Sequence, residues 1–343
     1  MAEINDKYGR KLHVVTIDNG CMSFTVLPER GMDIGDIYIN GEKVSWETPE
    51  GELLHPDSVD LKEQGAWDKG FVASVATIGP ELFGTPDEIR TVHGTGAYST
   101  VDPGTFYVKE SKEEIEVMGT VTIRGYEKHP VYRKEIRIVT KSNSTFLTRY
   151  ERTINLTDER QHIDDGFHIQ PAGAFVSKGG RYVLPVKTEH MLLRDSAPIE
   201  EDPKKIYDDR RTLDPIRCYQ YVPEEVSGLE LLPLPNTHHV TAEMLVDEGW
   251  TKAAVLVRPL DVFPRSLIAK RAKGKPMYAL EPCKTRPNSI KQKAIDGELM
   301  YLKPHEAMDS WITLGYLMEQ KEIMEVASRI EEAKGRKNEK DKE

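Results

Sequence analysis

Apolar residues along this chain recur at every second position far more often than at every third or fourth. Ile115, Val117, Gly119, Val121 and Ile123 alternate with Glu114, Glu116, Met118, Thr120 and Thr122, the pattern of a strand with one buried and one solvated face. Phe146, Tyr150, Ile154 and Leu156 repeat it, which predicts an apolar inner face and puts Arg149, Glu151, Thr153 and Asn155 on the other side. Shorter runs at 12–17, 22–27, 34–39, 253–257 and 312–317 read as further strands. Asn40-Gly41, between two of them, predicts a type I′ hairpin, because both residues tolerate the positive φ that matches strand twist. One helical pattern stands apart: Ile323, Val326, Ile330 and Ala333 share a face between 319 and 334. A charged tail expected to fray follows it, and the charge-rich stretch 200–211 reads as a surface loop at the rim of the sheets. With 25 glycines and 21 prolines punctuating many short strands, the expected fold is all-β, a sandwich or barrel. The expected domain runs over 4–317, followed by a C-terminal helix and tail over 318–343.

Composition narrows the partners. Hydrophobic residues make up 38% of the 343, enough for a sizeable core. The formal net charge of −10 repels a phosphate backbone and an anionic leaflet alike, so neither nucleic acid nor a membrane surface is an expected partner. No stretch approaches the roughly 20 apolar residues of a spanning helix. The first residues carry no apolar signal segment, and the three cysteines, Cys21, Cys218 and Cys283, are odd in number and far apart. A reducing, cytoplasmic setting is therefore the expectation.

Four segments concentrate residues able to do chemistry. In Pro28-Glu29-Arg30-Gly31-Met32-Asp33-Ile34, Arg30 and Asp33 stand at the mouth of a strand, where they either grip ligand hydroxyls or form a local ion pair in a turn. In Arg90-Thr91-Val92-His93-Gly94-Thr95-Gly96, glycines beside His93 let backbone approach a ligand, and no phosphate-loop lysine is present. In the segment 164–171, His168 and Gln170 share one strand face and Phe167 and Ile169 the other, which suits a ligand cleft or a solvated edge. Glu281 follows the apolar run Tyr278-Ala279-Leu280 and precedes Pro282; half-buried there, its pKa rises toward that of a general base, unless Lys284 or Arg286 pairs with it. Lys270, Arg271, Lys273 and Lys275 form a basic run read as a solvated loop, although a phosphorylated ligand would favour such a cluster. His162 and His168 with Asp164 and Asp165 lack the His-x-His or His-x-x-x-His spacing of a metal site, so no metal is expected.

Taken in order, the four segments resemble the galactose mutarotase (aldose 1-epimerase) superfamily, and most closely its aldose-epimerase-like branch with an Arg-Gly-Met-Asp-Ile segment. The resemblance extends to the strand Phe71-Val-Ala-Ser-Val-Ala-Thr-Ile and to Leu302-Lys-Pro-His305-Glu306, where relatives have Leu-x-Pro-Gly-Glu. It implies a large β-supersandwich that binds a monosaccharide or related small carbohydrate without metal or organic cofactor. It implies Glu281 as catalytic base, His168 as catalytic acid, His93 as a sugar contact and Arg30 close to the same cleft. The expected reaction is anomer interconversion by ring opening. Two other readings stand beside it: epimerisation or isomerisation at another sugar carbon, and non-catalytic sugar binding or sensing. Gln170 stands where galactose mutarotases carry Asn, and Thr95 follows His93-Gly94 where close relatives show Arg. Oligomeric state is left open.

Overall fold

The computed structural model describes residues 1–47, 53–63, 65–126, 129–172, 175–176, 179–194, 202–206, 216–271 and 276–334. Among them, two large antiparallel sheets pack face to face. The first has eleven strands. From its fourth strand to its far edge it runs, in spatial order, Asp33–Ile39, Val75–Ile78, Gly166–Ile169, Met277–Cys283, Arg265–Arg271, Arg217–Tyr221 and Leu192–Arg194. The second has eight, centred on Val240–Val246, Ala253–Pro259, Ala307–Leu317, Phe146–Asn155, Tyr132–Lys141 and Glu114–Ile123. The core lies between them: Phe24, Ile34, Phe167, Ile169 and Leu280 of one sheet meet Val117, Ile138, Leu147, Leu256 and Leu314 of the other. The helix Gln320–Ala333 covers the outer face of the second sheet with Ile323, Val326, Ile330 and Ala333, as the helical period predicts. Strands Val240–Val246 and Ala253–Pro259 are thus buried on both faces, which is why Ala253-Ala254-Val255-Leu256-Val257 reads as an unbroken apolar run. The predicted hairpin forms at Asn40 (φ 49°) and Gly41 (φ 82°), with Ile39 facing Glu42. No helix among the described residues is long and apolar enough to cross a membrane. The expected loop at 200–211 lies largely, and the charged tail 335–343 wholly, outside the described residues.

One strand sits the other way round from its pattern. In Phe146–Asn155 it is Arg149, Glu151, Thr153 and Asn155 that face the core with Leu147, while Phe146, Tyr150 and Ile154 are half-exposed. The inward charges are stable because they are paired. Lys134 Nζ donates to Glu151 at 2.7 Å, and Arg149 Nε donates to the same carboxylate at 2.8 Å. Arg149 also spans the two sheets: its terminal nitrogens donate to the carbonyls of Met32 (2.5 Å) and Gly31 (2.9 Å) and to Thr77 Oγ1 (3.0 Å). Asp33 accepts from the Thr77 amide and hydroxyl at 2.9 and 2.7 Å. The Arg-Gly-Met-Asp segment is therefore an inter-sheet clasp. Its glycine is required by space as well as by φ (61°), since a Cβ there would lie 2.5 Å from the Gly96 carbonyl.

Candidate functional site

On the face of the first sheet turned away from the core lies a cleft of about 740 Å³, within the size range of small-molecule sites. Strand alternation decides what lines it. Ile169 pairs with Leu280, and both face the core, so their neighbours His168 and Glu281 come up side by side on the other face. His168 Nε2 lies 3.5 Å from Glu281 Oε1. Leu267, Ala269, Cys218 and Met277 of the adjoining strands complete the sheet's contribution. Loops supply aromatic walls: Trp46 and Trp67 both stack near Phe71, with ring centroids 5.3 and 4.9 Å away.

His93 enters from the loop before the Gly96–Tyr98 turn. Its carbonyl accepts from the Gly79 amide at 2.9 Å, and Gly96 N donates back to Gly79 O at 2.8 Å. A Cβ on Gly96 would meet that Gly79 oxygen at 2.6 Å, so only glycine lets the loop lie so close to the strand end. His93 itself takes a left-handed φ of 64°, a strained state for a side-chain-bearing residue. Its ring stands edge-on to Trp67 at 4.7 Å and 6.0 Å from the His168 ring.

Gln170, expected among the sugar contacts, is fully buried and does something else. Its amide nitrogen donates to Ala73 O at 3.0 Å, so its carbonyl oxygen faces His168 Nδ1 at 2.8 Å. That oxygen can only accept, which puts the imidazole proton on Nδ1 and leaves the Nε2 lone pair turned to Glu281. Burial pushes the His168 pKa down to about 4, with the Gln170 hydrogen bond pulling the other way. Burial pushes Glu281 up to about 8, opposed by the Arg194 guanidinium. His93 is held well below the usual imidazole range, first by burial and then by His168. Near neutral pH the His168–Glu281 pair therefore holds one proton, on the carboxyl. Neither sequence-suggested partner takes Glu281: Lys284 Nζ donates to Val262 O, and Arg286 binds Glu298.

Arg30 and Asp33 do not line the cleft. Arg30 Nε and Nη1 donate to the carbonyls of Ala97 and Gly70, both at 2.7 Å, and the guanidinium lies 4.1 Å from the Tyr98 ring centre. It thereby holds the Trp67–Gly70 turn, which carries Trp67 and Asp68 into the cleft. Sequence reasoning missed Trp46, Trp67, Asp68 and Arg194 as cleft residues. Trp67 and Asp68 share one turn, and Trp46 and Arg194 come from segments far from it along the chain, with no motif in common. Arg271 was read as part of a solvated basic run, but it lines the cleft, while its neighbour Lys270 is buried on the other side, donating to Pro203 O and Lys205 O. Lys273 and Lys275 lie outside the described residues. Among the described residues no group of three or more His, Cys, Asp and Glu side chains is arranged to hold a metal.

Solved structures share this fold. A candidate aldose 1-epimerase from Klebsiella pneumoniae is 17% identical with a TM-score of 0.76, over 96% of this chain and 85% of that one. A galactose mutarotase-like protein from Clostridium acetobutylicum is 13% identical with a TM-score of 0.64, over 93% and 98%. A galactose 1-epimerase from Lactobacillus acidophilus is 13% identical with a TM-score of 0.50, over 92% and 97%. At such identities the likeness establishes the fold, the two-sheet sandwich of the galactose mutarotase-like proteins. A search of curated proteins finds no match. A family model described as a domain of unknown function, DUF4432, matches residues 9–315, and the chain belongs to that family.

Proposed function

We propose that the protein interconverts the anomers of a monosaccharide or related small carbohydrate, with Glu281 and His168 as the acid–base pair. The observation that carries this reading is the pair itself: a carboxyl and an imidazole 3.5 Å apart, buried, at the base of a cleft large enough for a small carbohydrate. Ring opening of a hemiacetal needs one group to take the proton of the anomeric hydroxyl while another protonates the ring oxygen. The C1–ring oxygen bond then breaks, the carbonyl forms, the C1–C2 bond rotates, and the same two transfers run backwards. A pair holding one proton supplies one donor and one acceptor at each stage. In the catalytic roles proposed, the shared proton shifts from Glu281 to His168 Nε2 in the reacting complex, an uphill step from the resting state, so that the Glu281 carboxylate accepts from the anomeric hydroxyl and the imidazolium protonates the ring oxygen. The known fold of the mutarotase-like neighbours supports the substrate class. Each transfer of this kind contributes roughly 10² to 10⁴ in rate.

The test is NMR exchange between α and β anomers across a panel of aldoses and their charged derivatives. Wild type is expected to accelerate exchange of at least one member, and Glu281→Gln, which keeps the shape, to lose about 10² or more of that rate. Equal rates for the two proteins, or no acceleration of any member, would overturn the proposal.

A further inference from the structure

The cleft has the wrong charge for the protein it belongs to. The chain carries −10 overall, yet the described residues lining the cleft bring Lys69, Arg194 and Arg271 against only Asp68 and Glu281. Lys69 is occupied by Glu63, outside the cleft lining. Glu281 keeps its proton near neutrality, and both imidazoles are neutral there. Among the described lining residues two guanidinium groups therefore face one further carboxylate, Asp68, which burial pushes toward the neutral form while Arg271 pulls it back toward the charged one.

Hydrogen-bonding capacity is lopsided in the same sense. Arg271 Nε, Trp46 Nε1 and Trp67 Nε1 are buried without a hydrogen-bond partner among the described residues. Arg194 commits one terminal nitrogen to Pro287 O at 2.9 Å. A sugar hydroxyl both donates and accepts, so a neutral sugar calls for acceptors as much as donors. An anionic group only accepts, and a guanidinium fork matches it two bonds at a time.

We propose that the sugar received by this cleft bears a negatively charged substituent, a carboxylate, sulfonate or phosphate, held by Arg271 and Arg194. The proposal rests on the reading of the cleft as a sugar site. Register supports the placement: Arg194 is opposite Cys218, Cys218 is opposite Ala269, and Arg271 lies two residues beyond Ala269 on the same face. The small Cys218 and Ala269 leave room above the sheet for both long side chains. Arg271 pairs with Met277, four residues from Glu281 along one strand, or ~13 Å of backbone. Arg271 thus lies toward the end of the cleft remote from Glu281, with Arg194 in the row between them.

The experiment is an NMR binding titration of a neutral hexose against its uronate, 6-phosphate and 6-sulfonate, at low and high salt. At least one charged member should bind about tenfold more tightly than the neutral parent, with a preference that salt erodes. Which member wins identifies the anion. Arg271→Gln should shrink the charged-to-neutral ratio about tenfold, and Arg194→Gln should shrink it as well. Should either variant fail to fold, the salt dependence of wild type decides. Equal binding of neutral and charged sugars, no binding of any charged member, or a preference untouched by both substitutions and by salt overturns the proposal. Anomeric exchange on the same samples separates the two readings. A charged sugar bound without exchange retires the mutarotase reading and keeps the charge assignment; exchange of neutral sugars with equal affinity does the reverse.

Discussion

Burying Glu281 beside an imidazole locked by Gln170 leaves one proton for two groups, and that has consequences for both rate and stability. Below about pH 4 His168 is also protonated and no acceptor remains; above about pH 8 Glu281 has lost its proton and no donor remains. The kcat/KM profile for anomeric exchange is therefore expected to be a broad plateau with limbs near those two values. A single limb near the ordinary carboxylate range would mean that the pair does not share its proton. Stability follows from the same shift. The Glu281 pKa is raised from 4.5 to about 8, so its stabilising contribution is complete below pH 4.5 and is lost as pH rises toward 8. At about 1.4 kcal/mol per unit, the loss amounts to several kcal/mol. Glu281→Gln is accordingly expected to melt at a higher temperature than wild type at pH 8, with the gap closing toward pH 5. His168, lowered from 6.5 to about 4, works the other way, its cost growing as pH falls below 6.5. Both variants of the comparison share that term, so it cancels.

At the scale of an element, the strand Phe146–Asn155 shows how pairing overrides hydrophobicity. Phe146, Tyr150 and Ile154 look apolar enough to be inside, but the odd-numbered charges find partners, Arg149 across the sandwich at Gly31 and Met32 and Glu151 beside it at Lys134 and Arg149, and a register shift by one residue would strand them all. Two substitutions on this one strand should separate the faces. Arg149→Met leaves Glu151 short of a donor and the Gly31 and Met32 carbonyls unsatisfied in the core, a loss of about 3–5 kcal/mol. Arg152→Met removes only an exposed ion pair in which one guanidinium nitrogen reaches both Asp309 oxygens, worth about 1 kcal/mol or less. Urea midpoints measure both; similar losses would mean the strand faces the way its apolar pattern suggests.

Across the whole molecule the layers are stacked in order: cleft, first sheet, core, second sheet, helix. The helix Gln320–Ala333 and the candidate site therefore sit on opposite outer faces. Ile330→Ala, in the fully buried helix-facing cluster, is expected to cost about 2–5 kcal/mol while leaving exchange activity per folded molecule unchanged. A fall in activity with full folding, seen by circular dichroism, would show the two faces to be coupled.

Local alternation sufficed for much of this protein. The period of two marked the strands, the 3.6 period marked the one long helix, Asn40-Gly41 marked its hairpin, and alternation in 166–169 put His168 and Phe167 on opposite faces. Each of these is dictated by neighbours within a few residues, so the chain carries it openly. What neighbours cannot dictate is which strands lie side by side. Only the assembled sheet brings residue 168 to residue 281, carries Arg194 and Arg271 to the same cleft, and lets Gln170 fix a tautomer. Only tertiary contact gives Arg30 and Asp33 their partners, because Ala97, Gly70 and Thr77 are about 40 to 70 residues away along the chain, and only the meeting of two sheets brings Arg149 to Gly31 and Met32. Burial of charge is decided at that same level, since a charged side chain is stable inside only where a distant segment supplies its counterpart.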